Sequence, residues 1–253
     1  MKIAIVTGAS SGLGEEYLKC LVNEYPELEQ IWIIARRAER LEKLAENYKE
    51  KKIVPFPLDL TDFDSFEKIR IKLEAEKPDV RILVNNAGFG TLGKFDEQDL
   101  FSQTRMIDLN NRALTGITSL VLPYMNGGSF IVNVCSIAAF APTSRMSVYC
   151  STKSYVYSFS KALRFELKSR GINVLAACPG PMDTEFLPAA GINKGASHTF
   201  DTLPRCNTKK VAKRSLKKAA KGHGKYTPTL FYKFYHLLAK ILPHAVVMHM
   251  SKT

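Results

Sequence analysis

Residues 3–25 read IAIVTGASSGLGEEYLKCLVNEY, and this stretch decides the fold. IAIVT is a short apolar run that suits a strand buried on both faces. From Leu13 the apolar residues recur at helical spacing. Between the two lies a turn, TGASSGLG, containing Thr7, Gly8, Ser10, Ser11, Gly12, Leu13 and Gly14. Glycine at the turn lets the chain bend sharply, and a further glycine lets backbone approach a bound group. The helix that follows offers N–H groups and a partial positive charge to an anion such as a pyrophosphate. The glycine spacing departs from the GxGxxG dinucleotide fingerprint, so its position between a first strand and a first helix carries the reading.

Working outward, short apolar runs alternate with helical patterns through the chain. Candidate strands are 3–7, 31–35, 53–58, 80–85, 129–135, 172–178 and a short one at 225–227. Helical periodicity marks 13–25, 39–50, 62–76, 109–125 and 148–169. This alternation predicts an α/β fold, a parallel sheet with helices on both faces. Ligands in such a sheet bind outside the carboxyl ends of the strands, at the switch point. The 253 residues show no internal linker and suit one domain, 1–253.

No stretch is long and apolar enough to span a bilayer, and the chain enters its first strand without a leader pattern; a cytoplasmic protein is expected. The odd number of cysteines shows no metal-ligand spacing, so no metal is expected. Cys150, beside Tyr149, is a candidate thiol near the site. The formal charge is +12, with much of the excess between Lys209 and Lys225. A solvated helix face accounts for it, with attraction of a polyanionic cofactor as the second reading. No aromatic stacking platform or nucleic-acid motif accompanies it, so no nucleic-acid partner is expected.

Chemistry concentrates at strand ends. In YCSTK, Tyr149 and Lys153 stand four residues apart and share one helix face. An ammonium there favours the phenolate, so the tyrosine pKa is expected to fall toward neutrality. Such a tyrosine can exchange a proton with an alcohol or ketone oxygen. Ser136 follows an apolar strand and could hydrogen-bond that oxygen or cap its own loop. The second strand ends in Ala35, Arg36 and Arg37, with no carboxylate to repel a 2′-phosphate, which favours NADP(H) while NAD(H) stays possible. Arg36 and Arg37 could also merely open a basic helix. Asp59, followed by Leu60, lies where an adenine would pass, and Asp62 reads as a helix N-cap. Asn85, Asn86, Ala87 and Gly88 end the fourth strand; small residues there admit a ribose, and the amides can tie neighbouring strands.

Taken in order, TGASSGLG, NNAG, Asn110, Ser136, YCSTK and PGPMDT (179–184) resemble the short-chain dehydrogenase/reductase family, in its single-domain branch. The resemblance implies a Rossmann-type doubly wound sheet of seven parallel strands. It also implies reversible hydride transfer between NAD(P) and a carbonyl or secondary alcohol. By the family's pattern Asn110, Ser136, Tyr149 and Lys153 form the catalytic tetrad, with Asn110 holding a water that relays protons. Lys153 would also hold the nicotinamide ribose. The segment with Pro179, Gly180, Met182 and Thr184 would contact the nicotinamide end. A homodimer or homotetramer pairing 109–125 and 148–169 is expected by resemblance.

The substrate pocket is expected from Ile137, Phe140, Arg145, Met146 and Phe186, under a lid at about 185–206 that includes His198. This mainly apolar set suits a hydrophobic ketone, and a tail that resembles those of the family's steroid and long-chain acyl reductases implies a steroid-like or acyl one. Arg145 could clamp a substrate anion or lie at the surface. A C-terminal extension, about 228–253, carries Leu230, Phe231, Phe234, Leu237, Leu238 and Ile241 at helical spacing. Three uses stand open for it: packing on the core or a subunit partner, membrane-surface contact, and a wall of the substrate pocket. Two other functions stay open: a catalytically silent NAD(P)-binding regulatory or scaffold protein, and a sugar-nucleotide enzyme of the extended branch, for whose substrate domain the length leaves little room.

Overall fold

The computed structural model describes residues 1–193, 195 and 197–250. In chain order the elements are β1 (Lys2–Thr7), α1 (Gly12–Glu24), β2 (Gln30–Ala35), α2 (Ala38–Asn47), β3 (Lys52–Pro57), α3 (Phe63–Glu76) and β4 (Asp79–Asn85). Next come α4 (Leu100–Ile107), α5 (Leu114–Val121), β5 (Phe130–Val134), α6 (Ser147–Glu166) and β6 (Asn173–Ala177). The chain ends with α7 (Phe186–Ala189), α8 (His198–Thr202), α9 (Thr208–Ala220), β7 (Lys225–Tyr226), α10 (Leu230–Ile241) and α11 (His244–Met250).

The strands form one seven-stranded sheet in the order β3-β2-β1-β4-β5-β6-β7. Every pairing is parallel, for example Ile5 with Trp32, Val6 with Val84, and Val134 with Ala177. Alternation along β1 and β2 splits the core. Ala4, Val6, Ile31 and Ile33 pack under α1, α2 and α9. Ile3, Ile5, Trp32 and Ile34 pack with Ile69, Ile117 and Leu163 on the opposite face. The order reverses between β1 and β4, so the crevice for ligands opens there, at the carboxyl ends. This is the Rossmann-type α/β fold expected.

The helix expected over 109–125 starts earlier, at Leu100, as one helical run in which a π-helical segment, Asp108–Ala113, carries Asn110 between α4 and α5. Leu100 and Phe101 of α4 are exposed, so no core-facing stripe announced it. Asp62 occupies the N-cap position of α3, but its side chain makes no capping bond. Below the sheet ends, Asn85 Nδ2 donates to Thr118 Oγ1 and to Asn133 Oδ1, both at 2.9 Å, and Asn133 Nδ2 donates to Ser160 Oγ at 2.9 Å. This chain of buried amides ties β4, β5, α5 and α6, as Asn85 suggested. Part of the expected lid (Lys194 and Ala196) and of the C-terminal extension (251–253) lies outside the described residues.

Candidate active site

A cleft of about 700 Å³ opens at the carboxyl ends of the strands. One end is the glycine turn. Gly8 and Gly12 adopt φ of +66° and +57°, where a side chain would be strained. A Cβ on Gly8 would stand 2.8 Å from Ala87 Cα, and one on Gly12 would stand 3.2 Å from Thr184. The bare backbone therefore lets the β1, β4 and β6 loops close on one another. Ser11 precedes α1, yet its side chain caps none of the first-turn N–H groups. Arg36 and Arg37 follow β2 and line the same end, with Asp59 and Leu60 beside them. Arg37 donates to Ser10 Oγ at 3.0 Å and Ser11 Oγ at 2.9 Å and pairs with Glu185 at 2.8 Å. Arg40 pairs with the other Glu185 oxygen at 2.7 Å, and the two guanidiniums hold that carboxyl down at about 2.

Asp59 accepts from the Thr61 backbone N–H at 2.9 Å and pairs with Arg105. Arg36 approaches it at 4.0 Å. Partial burial raises the Asp59 pKa, but the Thr61 bonds and the arginines outweigh it, and the net direction is downward. Arg40 and Arg105 escaped the sequence reading because only the fold brings α2 and α4 to this end.

Three of the four residues expected to carry the chemistry meet in the cleft. Ser136, Tyr149 and Lys153 all line it. Ser136 Oγ accepts from the Ala138 backbone N–H at 3.1 Å, so it caps the short turn Ile137–Ala139 and also faces the Tyr149 phenol. Lys153 donates from Nζ to the Val134 carbonyl at 3.0 Å, and Nζ lies 5.7 Å from the Tyr149 ring centroid. Burial pushes the phenol pKa up, with Ser136 pulling partly back. Burial likewise pushes the Lys153 ammonium down. Burial thus acts against the acidic tyrosine expected, and the phenol stands above its ordinary value. Cys150 is buried and its thiol is pushed up, so it offers no thiolate at neutral pH.

Several expected residues stand elsewhere. Thr7 is buried and does not line the cleft; its Oγ1 accepts from the N–H groups of Asn86 and Ala87, both at 3.0 Å. Gly14 lies beneath the turn and not in the cleft. Asn110 is also absent from the lining: its Oδ1 accepts from Phe89 N–H at 3.0 Å, and its Nδ2 donates to Phe89 O at 2.9 Å and Thr152 Oγ1 at 3.0 Å. Phe140 packs edge-on against Tyr157 and near Tyr235 and His236, away from the cleft. Arg145 contributes backbone rather than a clamp: at φ +60° it makes the left-handed bend before α6, and its carbonyl accepts from Gly93 N–H at 2.9 Å. His198 is exposed. Ile137, Met146 and Phe186 do line the cleft, as do Asn86, Ala87, Gly88, Pro179, Gly180, Met182 and Thr184.

Two glycines were not recognisable as site residues for what they seat. A Cβ on Gly90 would stand 2.8 Å from the Tyr149 ring, so this glycine seats the phenol. A Cβ on Gly180 would stand 2.2 Å from the Tyr232 ring, whose hydroxyl donates to Pro204 O at 2.6 Å. That contact docks α10 against the cleft. Phe231, Phe234 and Leu238 line the cleft, the two phenylalanines with much of their surface exposed, and Leu230, Leu237 and Ile241 are exposed without lining it. Tyr232, Ala239 and Val247 of the extension pack into the core, while these exposed residues leave a subunit partner and a membrane surface open.

The parallel sheet, its switch-point cleft and the Ser–Tyr–Lys group at strand ends define a dinucleotide-type α/β protein. Residues 2–194 match the short chain dehydrogenase family, and the chain belongs to it. It is 33% identical over 204 residues to the short chain dehydrogenase MYCFIDRAFT_6125 of Pseudocercospora fijiensis, covering 78% of this chain and 65% of that protein. It spans 32% of the length of another relative, the probable oxidoreductase EphD of Mycobacterium bovis. A short-chain dehydrogenase from Sphingobium yanoikuyae in complex with NADPH superposes with a TM-score of 0.80 at 27% identity, over 97% of this chain and 98% of that one. The bulky-bulky ketone specific alcohol dehydrogenase from Comamonas testosteroni gives a TM-score of 0.75 at 26% identity, over 100% of this chain and 95% of that one.

Proposed function

We propose that this chain is an NADP-preferring oxidoreductase that interconverts hydrophobic ketones and secondary alcohols. The supporting observation is the meeting of Tyr149, Ser136 and Lys153 in a largely apolar cleft whose other end is a glycine turn beside Arg36 and Arg37. These residues fit a phosphorylated dinucleotide. Glycines make room for its backbone contacts, uncapped N–H groups face its diphosphate, and β2 ends without a carboxylate. Gly8, Ser10, Ser11, Gly12 and Leu13 would hold the diphosphate, and Arg36 and Arg37 the 2′-phosphate. Asp59, Leu60, Asn86, Ala87 and Gly88 would hold the adenosine end, and Lys153, Pro179, Gly180, Met182 and Thr184 the nicotinamide end. Bound cofactor supplies the hydride.

The side chains do the rest. Tyr149 gives its proton to the oxygen of the substrate as negative charge grows there. Ser136 donates a hydrogen bond to the same oxygen and fixes its position. Lys153 stabilises the phenolate left behind. Asn110, its amide spent on Phe89 and Thr152, acts as a positioning residue that locks α6 to the loop after β4. Ile137, Met146, Phe186, Phe231, Phe234 and Leu238 enclose the apolar part of the substrate. The C. testosteroni neighbour, which takes bulky ketones, and the NADPH-bound S. yanoikuyae neighbour support this reading. The exposed Tyr155 and Phe165 of α6 support self-association through the helix expected at 148–169.

NADPH consumption with a panel of hydrophobic ketones tests the proposal. Because burial keeps the phenol protonated, ketone reduction (kcat/KM) should stay level from neutral pH to above pH 10. Alcohol oxidation, which needs the phenolate, should rise through the same range. A reduction rate that fell as pH rose through neutrality would show either that the phenol is more acidic in the working enzyme than its burial implies or that another group delivers the proton; the pH profile of Tyr149→Phe separates the two. Arg36→Asp should lower the NADP/NAD ratio of kcat/KM by roughly tenfold to a hundredfold, the worth of a charged hydrogen bond plus repulsion. An unchanged ratio would remove Arg36 from cofactor choice.

A further inference from the structure

Helix α10 turns an apolar stripe outward. Leu230, Phe234, Leu237 and Ile241 recur three and four residues apart on one face and are 82%, 60%, 51% and 69% exposed. Tyr232 and Ala239, on the other side, are buried. An amphipathic helix normally hides its apolar face, and this one hides its narrower side instead. Val246 and Met248 of α11 extend the exposed apolar surface.

The C-terminal part of the sequence is basic. Residues 202–253 contain 12 lysines and arginines and no aspartate or glutamate, whereas residues 1–201 balance 24 of each sign. The net charge of the sequence therefore falls in this C-terminal part, half of its cations on α9, which packs against α1, while Lys225, Lys233 and Lys240 stand on or beside α10. Lys233 and Lys240 flank the stripe on the helix itself, and both are exposed. Lys225 stands 3.1 Å from His236 of α10, within electrostatic reach of Lys161 and Lys240. Among the described residues, none of Lys161, Lys225, Lys233 and Lys240 is ion-paired to a carboxylate.

We propose that α10 docks the protein on the surface of an anionic lipid bilayer, its Leu230–Leu237–Ile241 edge entering the acyl boundary and Lys233 and Lys240 meeting the headgroup phosphates. An interfacial helix binds through buried apolar area plus attraction of Lys to anionic lipid, and α10 offers both on one side. A second copy of the chain is a poorer occupant: a two-fold contact would bring Lys233 and Lys240 of both copies to one seam, and α10 carries no carboxylate to receive them. Nucleic acid would leave the leucine and isoleucine side chains unused. No described helix is long and apolar enough to cross the membrane, so the contact is with its surface. On the reading of the cleft as a ketone site, an apolar substrate dissolved in the bilayer would pass α10 to reach it, because Phe231, Phe234 and Leu238 of the same helix line the cleft.

Cosedimentation of the full chain with vesicles tests the docking without any turnover, so its failure is separable from failure of the enzymatic reading. Binding to vesicles of phosphatidylcholine with about a third phosphatidylglycerol should exceed binding to pure phosphatidylcholine by on the order of tenfold, and should fall with added salt. Leu230→Gln, Leu237→Gln and Ile241→Gln together should abolish the bound fraction with melting and sedimentation coefficient unchanged. Lys233→Glu with Lys240→Glu should erase the preference for phosphatidylglycerol. Protein that stays in the supernatant with both vesicle types would overturn the proposal. So would a triple variant that still binds, or one that dissociates an oligomer, which would give the stripe to a second copy.

Discussion

Tyr149→Phe should cut ketone reduction by roughly a hundredfold to ten-thousandfold, the range for losing a positioned general acid. The geometry makes this substitution a clean one. The Tyr149 ring is held from below by Gly90 and from the side by Phe186, whose centroid lies 5.8 Å away. Phenylalanine keeps both contacts, so the ring should stay in place. Ser136 Oγ retains the Ala138 N–H as a partner, so losing the phenol strands no buried group entirely. Stability should change by about 1 kcal/mol or less. NADPH titration followed by fluorescence should give a nearly unchanged Kd, because the phosphate-binding turn lies at the other end of the cleft. Turnover close to that of the unsubstituted protein would mean that another group delivers the proton. Absence of ketone-dependent turnover in both proteins, with NADPH still bound, would instead support the silent binding protein left open by the sequence.

The contrast between what sequence reading reached and what it missed is physical. Strands such as β2 declared themselves because Ile31, Trp32, Ile33 and Ile34 are buried on both faces of the sheet, which demands an unbroken apolar run. The spacing of Tyr149 and Lys153 was equally readable, since helical geometry alone puts them on one face. Their protonation was not. Whether an ammonium loosens a phenol depends on how far each is desolvated, and that is a property of the closed cleft. Helix α4 escaped because Leu100 and Phe101 point outward, breaking the expected stripe. The hydrogen bonds of Thr7 to the loop after β4, and of Asn110 to Phe89 and Thr152, were not legible, because strand register sets the first and the π-helical segment between α4 and α5 sets the second. Phe140 fell outside the cleft for a related reason: the turn after Ser136 is short, and its last residue swings back onto α6 and α10. The outward face of α10 was visible as a periodic pattern, but the pattern cannot say which side of a helix meets the protein.

Gly14→Ala sets two effects of known sign against each other. Within the first turn of α1, alanine is the better helix former by about 1 kcal/mol, so propensity alone would make the variant more stable. The site decides otherwise. A Cβ there would stand 2.1 Å from the Gly8 carbonyl oxygen and 2.6 Å from Asn86 Nδ2. The first is backbone in a turn whose own residue is held at φ +66°, and it has no flexible end that could yield. The second belongs to an amide that donates to Thr7 O and Gly8 O at 3.1 Å each, and those bonds tie the β4 loop to the β1 loop. Relief therefore requires the turn to open. Overpacking of about 1–3 kcal/mol, with two weakened hydrogen bonds at about 1 kcal/mol each, outweighs the propensity gain and leaves a net loss of about 3 kcal/mol. For a chain of this length Tm should drop by roughly 6–12 °C. NADPH affinity should fall further than the melting point implies, because the displaced backbone is the phosphate cradle itself. Calorimetry with and without NADPH separates the two consequences: the unsubstituted protein should gain Tm on adding cofactor, and the variant should gain much less. A variant that melts at or above the original temperature and keeps its NADPH shift would show that α1 can slide away from the turn at no cost, and the close packing of Gly14 on Gly8 would then not be what shapes this end of the cleft.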